Sequence, residues 1–349
     1  MSAKVVYLII FTNQFGISQF NLKNVIRHMS MNDNIASLDR NFKWITGPPI
    51  LRAGSSKDQQ WLSAKDPTLV SYQDNWHLFY TVRGKSRSHA IAYRSSGTLN
   101  RIGEGKEVIL TCHDGFFCAP QVFYFRPHGK WYLICQAANN LWSPPYQPAF
   151  SISTDISSPD VWTELKPLGG SKPENAQAWL DFWVICDQTN AYLFFTSLDG
   201  KMWRASTPLA DFPQGWSQPV IALEADIFEA SHTYRLKGQD IYLTLIEAQH
   251  GHGWRYYKAY VADQLNGSWH PLAAEKDCSF ATMQNVTQTD ARWTDSISHG
   301  ELIRAGYDEL LEVDADNPRF IFQGVTDAER KGKNYGEIPW RLGLLKTIG

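Results

Sequence analysis

One unit recurs five times along this chain, and that recurrence limits the possible fold more than any other feature. In its first copy, Ala64-Lys65-Asp66-Pro67-Thr68-Leu69-Val70 leads into an alternating strand. The turn Gln73-Asp74-Asn75 follows, then an aromatic strand over 76–81 and a third run over 89–96. The unit returns after Ala119-Pro120 (121–125, 130–135, 149–154) and after Asp181 (182–186, 191–196, 201–207). It returns again after Glu229 (230–234, 241–246, 256–260) and after His299 (300–304, 309–313, 319–322). Clusters of Gly, Pro, Asn and Asp separate these runs, as between short strands, and the i, i+3, i+4 spacing of amphipathic helices is almost absent. Units spaced by roughly fifty to seventy residues are in the range of propeller blades. The expected fold is therefore all-β, a single five-bladed β-propeller over residues 41–349, with residues 1–40 as a leader or disordered N-terminal tail. In such a fold the first strand of each blade lines the axis. Asp66, Ala119, Asp181, Glu229 and His299, far apart in sequence, are then expected to meet at one mouth of the channel.

Composition agrees with that architecture. At 349 residues the chain is long for one core, but propellers of this length fold as one domain. Its 14 Trp and 15 Tyr fill blade cores first, and those left at the surface suit stacking on sugar rings. Thirty-three basic against 35 acidic residues give a net charge of −2, with no basic run able to track a phosphate backbone. Nucleic acid is excluded as a partner on that ground. Lys4 and the apolar run 5–11 have the order of a signal peptide without a clear cleavage site, and the run is too short to cross a bilayer. No membrane partner is expected. The five cysteines are odd in number and lack a CxxC pair, which argues against a zinc site or a full disulfide framework. Cys135 and Cys186 read as small buried hydrophobes, and Cys112 with Cys118 as a candidate bridge.

Three carboxylates and an imidazole at one mouth, with Lys65 beside the first, match what inverting glycoside hydrolysis requires. One carboxylate must be ionised to activate water, another must carry a proton for the leaving oxygen, and the water must fit between them. Lys65 favours the ionised form of Asp66, so Asp66 is the expected base. The apolar neighbours Ile227 and Phe228 are expected to favour protonation of Glu229, the expected acid. Asp and Asn also start strands as ordinary turn formers; four polar residues in equivalent repeat places point instead to a shared site.

The motifs Phe42-Lys43-Trp44, Lys65-Asp66-Pro67-Thr68, Ala119-Pro120-Gln121-Val122-Phe123-Tyr124-Phe125, Phe228-Glu229-Ala230, Ile297-Ser298-His299-Gly300-Glu301 and Pro339-Trp340-Arg341-Leu342-Gly343 carry a resemblance. In this order, between Phe42 and Lys346, the chain closely resembles glycoside hydrolase family 62, α-L-arabinofuranosidases that remove arabinose side chains from arabinoxylan by inversion. The resemblance implies Asp66 as general base, Glu229 as general acid, and Asp181 as the carboxylate that tunes the acid and orients the sugar. It implies Lys65 and Leu180 flanking the arabinose pocket, Arg255 supporting acid and sugar, Tyr335 near the pocket, and His299 binding a calcium ion largely through waters. It also implies a secreted, extracellular enzyme acting on a polysaccharide, and a monomer.

The chain departs from the family after the strand over 130–136, where Ala137-Ala138-Asn139-Asn140-Leu141-Trp142 and a Pro-rich insertion stand in place of an early Trp. Trp142 or Tyr146 is expected to supply the stacking residue, or the groove to fit another arabinose-bearing polymer. The rival readings are a propeller resembling family 43, acting on arabinan or xylosides, and a carbohydrate-binding propeller without turnover. His250-Gly251-His252 lacks a third ligand at suitable spacing and reads as a turn.

Overall fold

The computed structural model describes residues 41–54, 60–250 and 254–348. The expected leader over 1–40, and most of the His250-Gly251-His252 turn, lie outside these residues. Five sheets follow one another in chain order and form the five blades. The first holds Trp61–Tyr72, Asn75–Gly84, Ala90–Ser96 and Val108–Ile109; the second Phe117–Phe125, Lys130–Ala138, Tyr146–Ser153 and Lys166–Pro167. Leu180–Cys186, Asn190–Thr196, Lys201–Pro208 and Val220–Glu224 make the third. The fourth runs from Glu229–Leu236 through Tyr242–His250, Trp254–Ala262 and His270–Glu275 to Cys278–Ser279.

The fifth blade closes the ring and differs from the expected one. Its strands are Ser298–Leu302, Arg319–Gly324 and Arg341–Thr347, then Trp44–Thr46 from the N-terminal side, then Val286–Gln288. The stretch 309–313, which alternates like a strand, is not its second strand: Glu312–Val313 pairs in parallel with Arg235 and Leu236 on the fourth blade. The ring is closed by direct pairing of its two ends: Trp44, Ile45 and Thr46 run antiparallel to Thr347, Lys346 and Leu345. Both ends of the propeller thus share one sheet, which removes two open edges at once. Trp44 secures the join, fully buried, its indole N–H donating to the Phe280 carbonyl at 2.6 Å. Cys112 and Cys118 do not bridge.

Position in the blade decides burial. The innermost strand of the first blade is buried on both faces for most of its length, whereas the outermost strand of the third, Val220–Glu224, is half-buried or exposed throughout. Inner strands therefore read as near-continuous apolar runs, as strands covered on two sides do. A charged residue in such a run needs a partner. Glu301 and Arg304, each at most 4% exposed, meet at 2.9 Å, and the Arg304 guanidinium also donates to the Val122 and Leu69 carbonyls at 2.8 and 3.1 Å. This pair ties the fifth blade to the first two near the axis. Removing either partner would leave the other charge buried, a loss of about 3–5 kcal/mol.

Candidate active site

The site is built from a bulge that each blade repeats. In every innermost strand the ladder with the second strand slips by one residue, at Lys65/Thr68, Cys118/Gln121, Leu180/Trp183, Glu229/Ser231 and Ser298/Gly300. A bulge leaves a residue unpaired and re-aims its side chain. In four blades that residue has a left-handed backbone: Asp66 (φ 46°), Ala119 (52°), Asp181 (56°) and Ala230 (52°). Non-glycine residues reach this region at a cost of about 1–2 kcal/mol, so something must hold them there. The freed N–H of each is caught by a side chain of the preceding blade. Asp66 N donates to Gln323 Oε1 (3.0 Å), Ala119 N to Thr81 Oγ1 (2.9 Å), Asp181 N to Gln136 Oε1 (3.0 Å) and His299 N to Glu247 Oε2 (2.9 Å).

The exception falls between the third and fourth blades. By register Thr196 should accept from Ala230 N, but the acceptor is Asp181 Oδ2 at 3.0 Å, and the buried Thr196 Oγ1 has no partner. Asp181 thus both occupies a bulge and fixes the next one. The expected equivalence is shifted by one residue in that blade. Ala230, not Glu229, matches Asp66 and Asp181, and Glu229 shares its register with Lys65, Cys118, Leu180 and Ser298. These five residues precede the bulges and form a second ring at the same end of the channel.

The two rings bring the expected groups together. Lys65 Nζ lies 3.7 Å from Asp66 Oδ1, and His299 Nδ1 lies 3.6 Å from the same oxygen. One donor atom each from Asp181, Glu229 and His299 lie within 4.8 Å of one another. Arg255 Nη1 bonds Glu229 Oε1 at 2.8 Å and reaches Glu247 Oε1 at 3.3 Å. The Tyr335 ring, 45% exposed, is flanked by Lys65 Nζ at 4.8 Å and the Arg255 guanidinium at 5.3 Å from its centroid. Leu180, half-buried, adjoins Asp181 in the second ring. Trp142 goes elsewhere: it stacks on His113 (6.0 Å, 15°) and packs against the core of the first two blades. Tyr146, from the same insertion, is the member whose hydroxyl feels Asp181 and Glu229.

Electrostatics separate the carboxylates. Burial alone pushes the Asp66 carboxyl up, but Lys65 and His299 outweigh it and hold the group below the usual carboxylate range. Burial pushes Asp181 up to about 7; His299 opposes the shift, and Glu229 and Asp66 add to it. Burial pulls the His299 imidazole down, but Asp66, Asp181 and Glu247 more than offset this, so it favours the cation. Glu229 does not sit in the apolar setting its sequence neighbours suggest, because its carboxylate is paired with Arg255. The acid that burial keeps protonated is Asp181.

Glu247 escaped the sequence reading. Fully buried, it accepts from Ser298 Oγ at 2.8 Å and from His299 N, and it shares Arg255 with Glu229. Its sequence signal is a lone carboxylate in Leu245-Ile246-Glu247-Ala248, a run otherwise apolar. As for calcium, one imidazole and two carboxylates supply too few oxygens for an ion that takes six to eight. Both carboxylates are also already engaged by Ala230 N and Arg255. An ion at His299 would keep most of its shell as water.

Comparison with known proteins places the propeller in a family. Residues 51–346 match the model of Glycosyl hydrolase family 62. Alpha-L-arabinofuranosidase C of Cellvibrio japonicus is 37% identical over 315 residues, covering 87% of this chain and 47% of that protein. This chain therefore spans about half the length of that curated relative. Among solved structures, the catalytic domain of the Coprinopsis cinerea family 62 alpha-L-arabinofuranosidase superposes with a TM-score of 0.82 at 32% identity, over 89% of this chain and 98% of that one. A family 62 hydrolase solved with xylotriose gives 0.82 at 30%, over 90% and 100%. The chain belongs to glycosyl hydrolase family 62.

Proposed function

We propose that this protein is an inverting α-L-arabinofuranosidase that removes arabinofuranosyl side groups from arabinoxylan or a related hemicellulose outside the cell. The observation that carries the reading is the division of labour at the mouth: Asp66 is held ionised by two cations, while Asp181, beside Glu229, keeps a proton. The arabinofuranosidase relatives support arabinose as the sugar removed, and the xylotriose held by another family 62 hydrolase supports a xylan backbone.

In this mechanism Asp66 takes a proton from water as the water oxygen bonds to the anomeric carbon. The bond from that carbon to the polymer oxygen breaks, and Glu229 passes to the leaving oxygen the one proton that it shares with Asp181, which holds that proton before reaction. Asp66 touches the Asp181–Glu229–His299 group through His299, at 3.6 Å, and inversion requires that a water fit between Asp66 and Glu229. His299, favouring its cation, and Lys65 offset the negative charge of Asp66 before reaction. Asp181 fixes the Glu229 strand through Ala230 N and keeps a proton beside the acid. Arg255, braced by Glu247 and Ser298, sets the direction of the Glu229 carboxyl.

The test is incubation with wheat arabinoxylan, following released sugars by chromatography and the anomer by proton NMR. Free β-arabinose appearing first, with the backbone uncut, is expected. Xylose or oligosaccharides in its place would move the assignment to the arabinan- and xyloside-cleaving propellers.

The same charges set a pH profile. As pH falls, activity is expected to hold until Asp66 takes a proton below the usual carboxylate range, near 4. As pH rises, kcat/KM is expected to decline with an apparent pKa of about 7 as Asp181 loses its proton. In Asp181→Asn the limb near 7 should vanish. Its survival there would assign it to a different group.

A further inference from the structure

Next to Arg255, which positions the Glu229 carboxyl, lies a second cleft that no step above uses. Its volume is about 500 Å³, and Arg255, Tyr335 and Trp340 form its inner end. The Arg255 guanidinium lies over both rings, 5.3 Å from the Tyr335 centroid and 5.9 Å from that of Trp340, so the cleft shares Arg255 and Tyr335 with the surroundings of Glu229. The outer wall is one short segment, Arg330-Lys331-Gly332-Lys333. Gly332 takes φ +73°, a turn that L side chains resist, and the lysines on either side of it are both exposed. The single acid of the lining, Asp327, is bonded to Arg330 at 2.7 Å. Neither lysine forms an ion pair among the described residues.

The exposed ring of Tyr335, backed by the buried Trp340, suits contact with a sugar, and two unneutralised lysines beside it suit a carboxylate. Together they describe an acidic sugar rather than a neutral one, on a chain whose overall charge is slightly negative. A general nucleic-acid or anion surface would not need the aromatic end beside Arg255. We infer that this cleft is a subsite for a uronic acid carried by the polysaccharide close to the arabinofuranosyl group that is removed. The inference rests on the proposed arabinofuranosidase reading for the neighbour it gives the uronic acid, but the cleft can be tested without turnover.

The probe is a xylo-oligosaccharide bearing one arabinofuranosyl and one adjacent glucuronosyl group, compared with the same compound after reduction of its carboxyl to a neutral alcohol. Binding is measured by calorimetry on full-length Asp66→Asn, in the background of native lysines and of Lys331→Ala/Lys333→Ala. Two solvent-facing ion pairs should make the acidic probe about fivefold to tenfold tighter at low salt. The preference should shrink in 0.5 M salt, where the screening length falls below about 5 Å. It should disappear in the double variant, whose affinity for the neutral probe stays as it was. Equal binding of the two probes, equal loss on both in the double variant, or no binding of either, overturns the subsite. On the enzyme with native Asp66, kcat/KM should show the same preference. Failure to release arabinose from the neutral probe, with the acidic preference in binding intact, would overturn the arabinofuranosidase reading and leave the subsite standing.

Discussion

Asp66→Asn is expected to lower kcat at least about a thousandfold, the upper part of the range for loss of a general base, and to leave a folded, cooperatively melting protein. The reason for expecting a clean result lies in the backbone. Asp66 sits at φ 46°, a region asparagine enters as readily as aspartate does, so the bulge and its bond to Gln323 Oε1 survive. The side chain keeps its shape and loses only its charge. Lys65 and His299 then lack the anion they face, so some stability is lost with the activity, and the two readouts must be taken together. Asp66→Ala is the control: it adds backbone strain to the same chemical loss and should melt at a lower temperature than Asp66→Asn. An Asp66→Asn enzyme that retained a tenth of the native kcat would place the base elsewhere, with Asp181 the next carboxylate to try. No change of leaving group should restore the lost rate, because water must still be activated.

Much of this site could be read from sequence because repeats carry register. Asp66-Pro67 and Ala119-Pro120 announce themselves: a proline inside an aromatic strand has no N–H for the ladder, so a bulge is the place for it. Asp181 and His299 followed by counting from those two. The count slipped at the fourth blade because Ala230, the residue that takes the left-handed turn there, gives no sign of it in its side chain, and Glu229 drew the alignment one place back. The fifth blade failed for a different reason. Residues 309–313 alternate as a half-buried strand should, but alternation reports only that a strand is formed, and this one pairs with the fourth blade. Trp142 was attractive as an aromatic residue in an insertion beside the groove, yet burial against His113 and the blade core competes for the same side chain. Glu247 does not show in the repeat of first strands, because the acceptors that hold the bulges lie on the second strand of each blade. A polar residue at the register of Thr81, Gln136, Thr196, Glu247 and Gln323 is a signal as periodic as the one that was followed.

Glu229→Gln separates acid from base. Glutamine at this position still offers an oxygen to Arg255 Nη1 but has no proton to give the leaving oxygen. On a polysaccharide, whose leaving group departs as a strongly basic alkoxide unless protonated, kcat/KM is expected to fall about a hundredfold to ten-thousandfold. On a dinitrophenyl arabinofuranoside, whose leaving group is already a weak base, the same variant should come within about tenfold of the native enzyme, because little barrier is left for an acid to remove. The contrast between the two substrates is the measurement, since a merely misfolded site would be slow on both. The neighbour should respond as well. Glu229 is one of the charges that push Asp181 up, and with that charge gone the Asp181 carboxyl should fall from about 7 toward its ordinary range. An alkaline limb that moves to lower pH in Glu229→Gln would therefore show that the two carboxylates feel each other in solution. If the limb stays near 7 while the aryl substrate is rescued, Glu229 remains the acid and the limb belongs to a different group. If neither substrate is rescued, the proton comes from elsewhere in the cluster, and Asp181, the carboxylate that burial holds protonated, takes the role of acid.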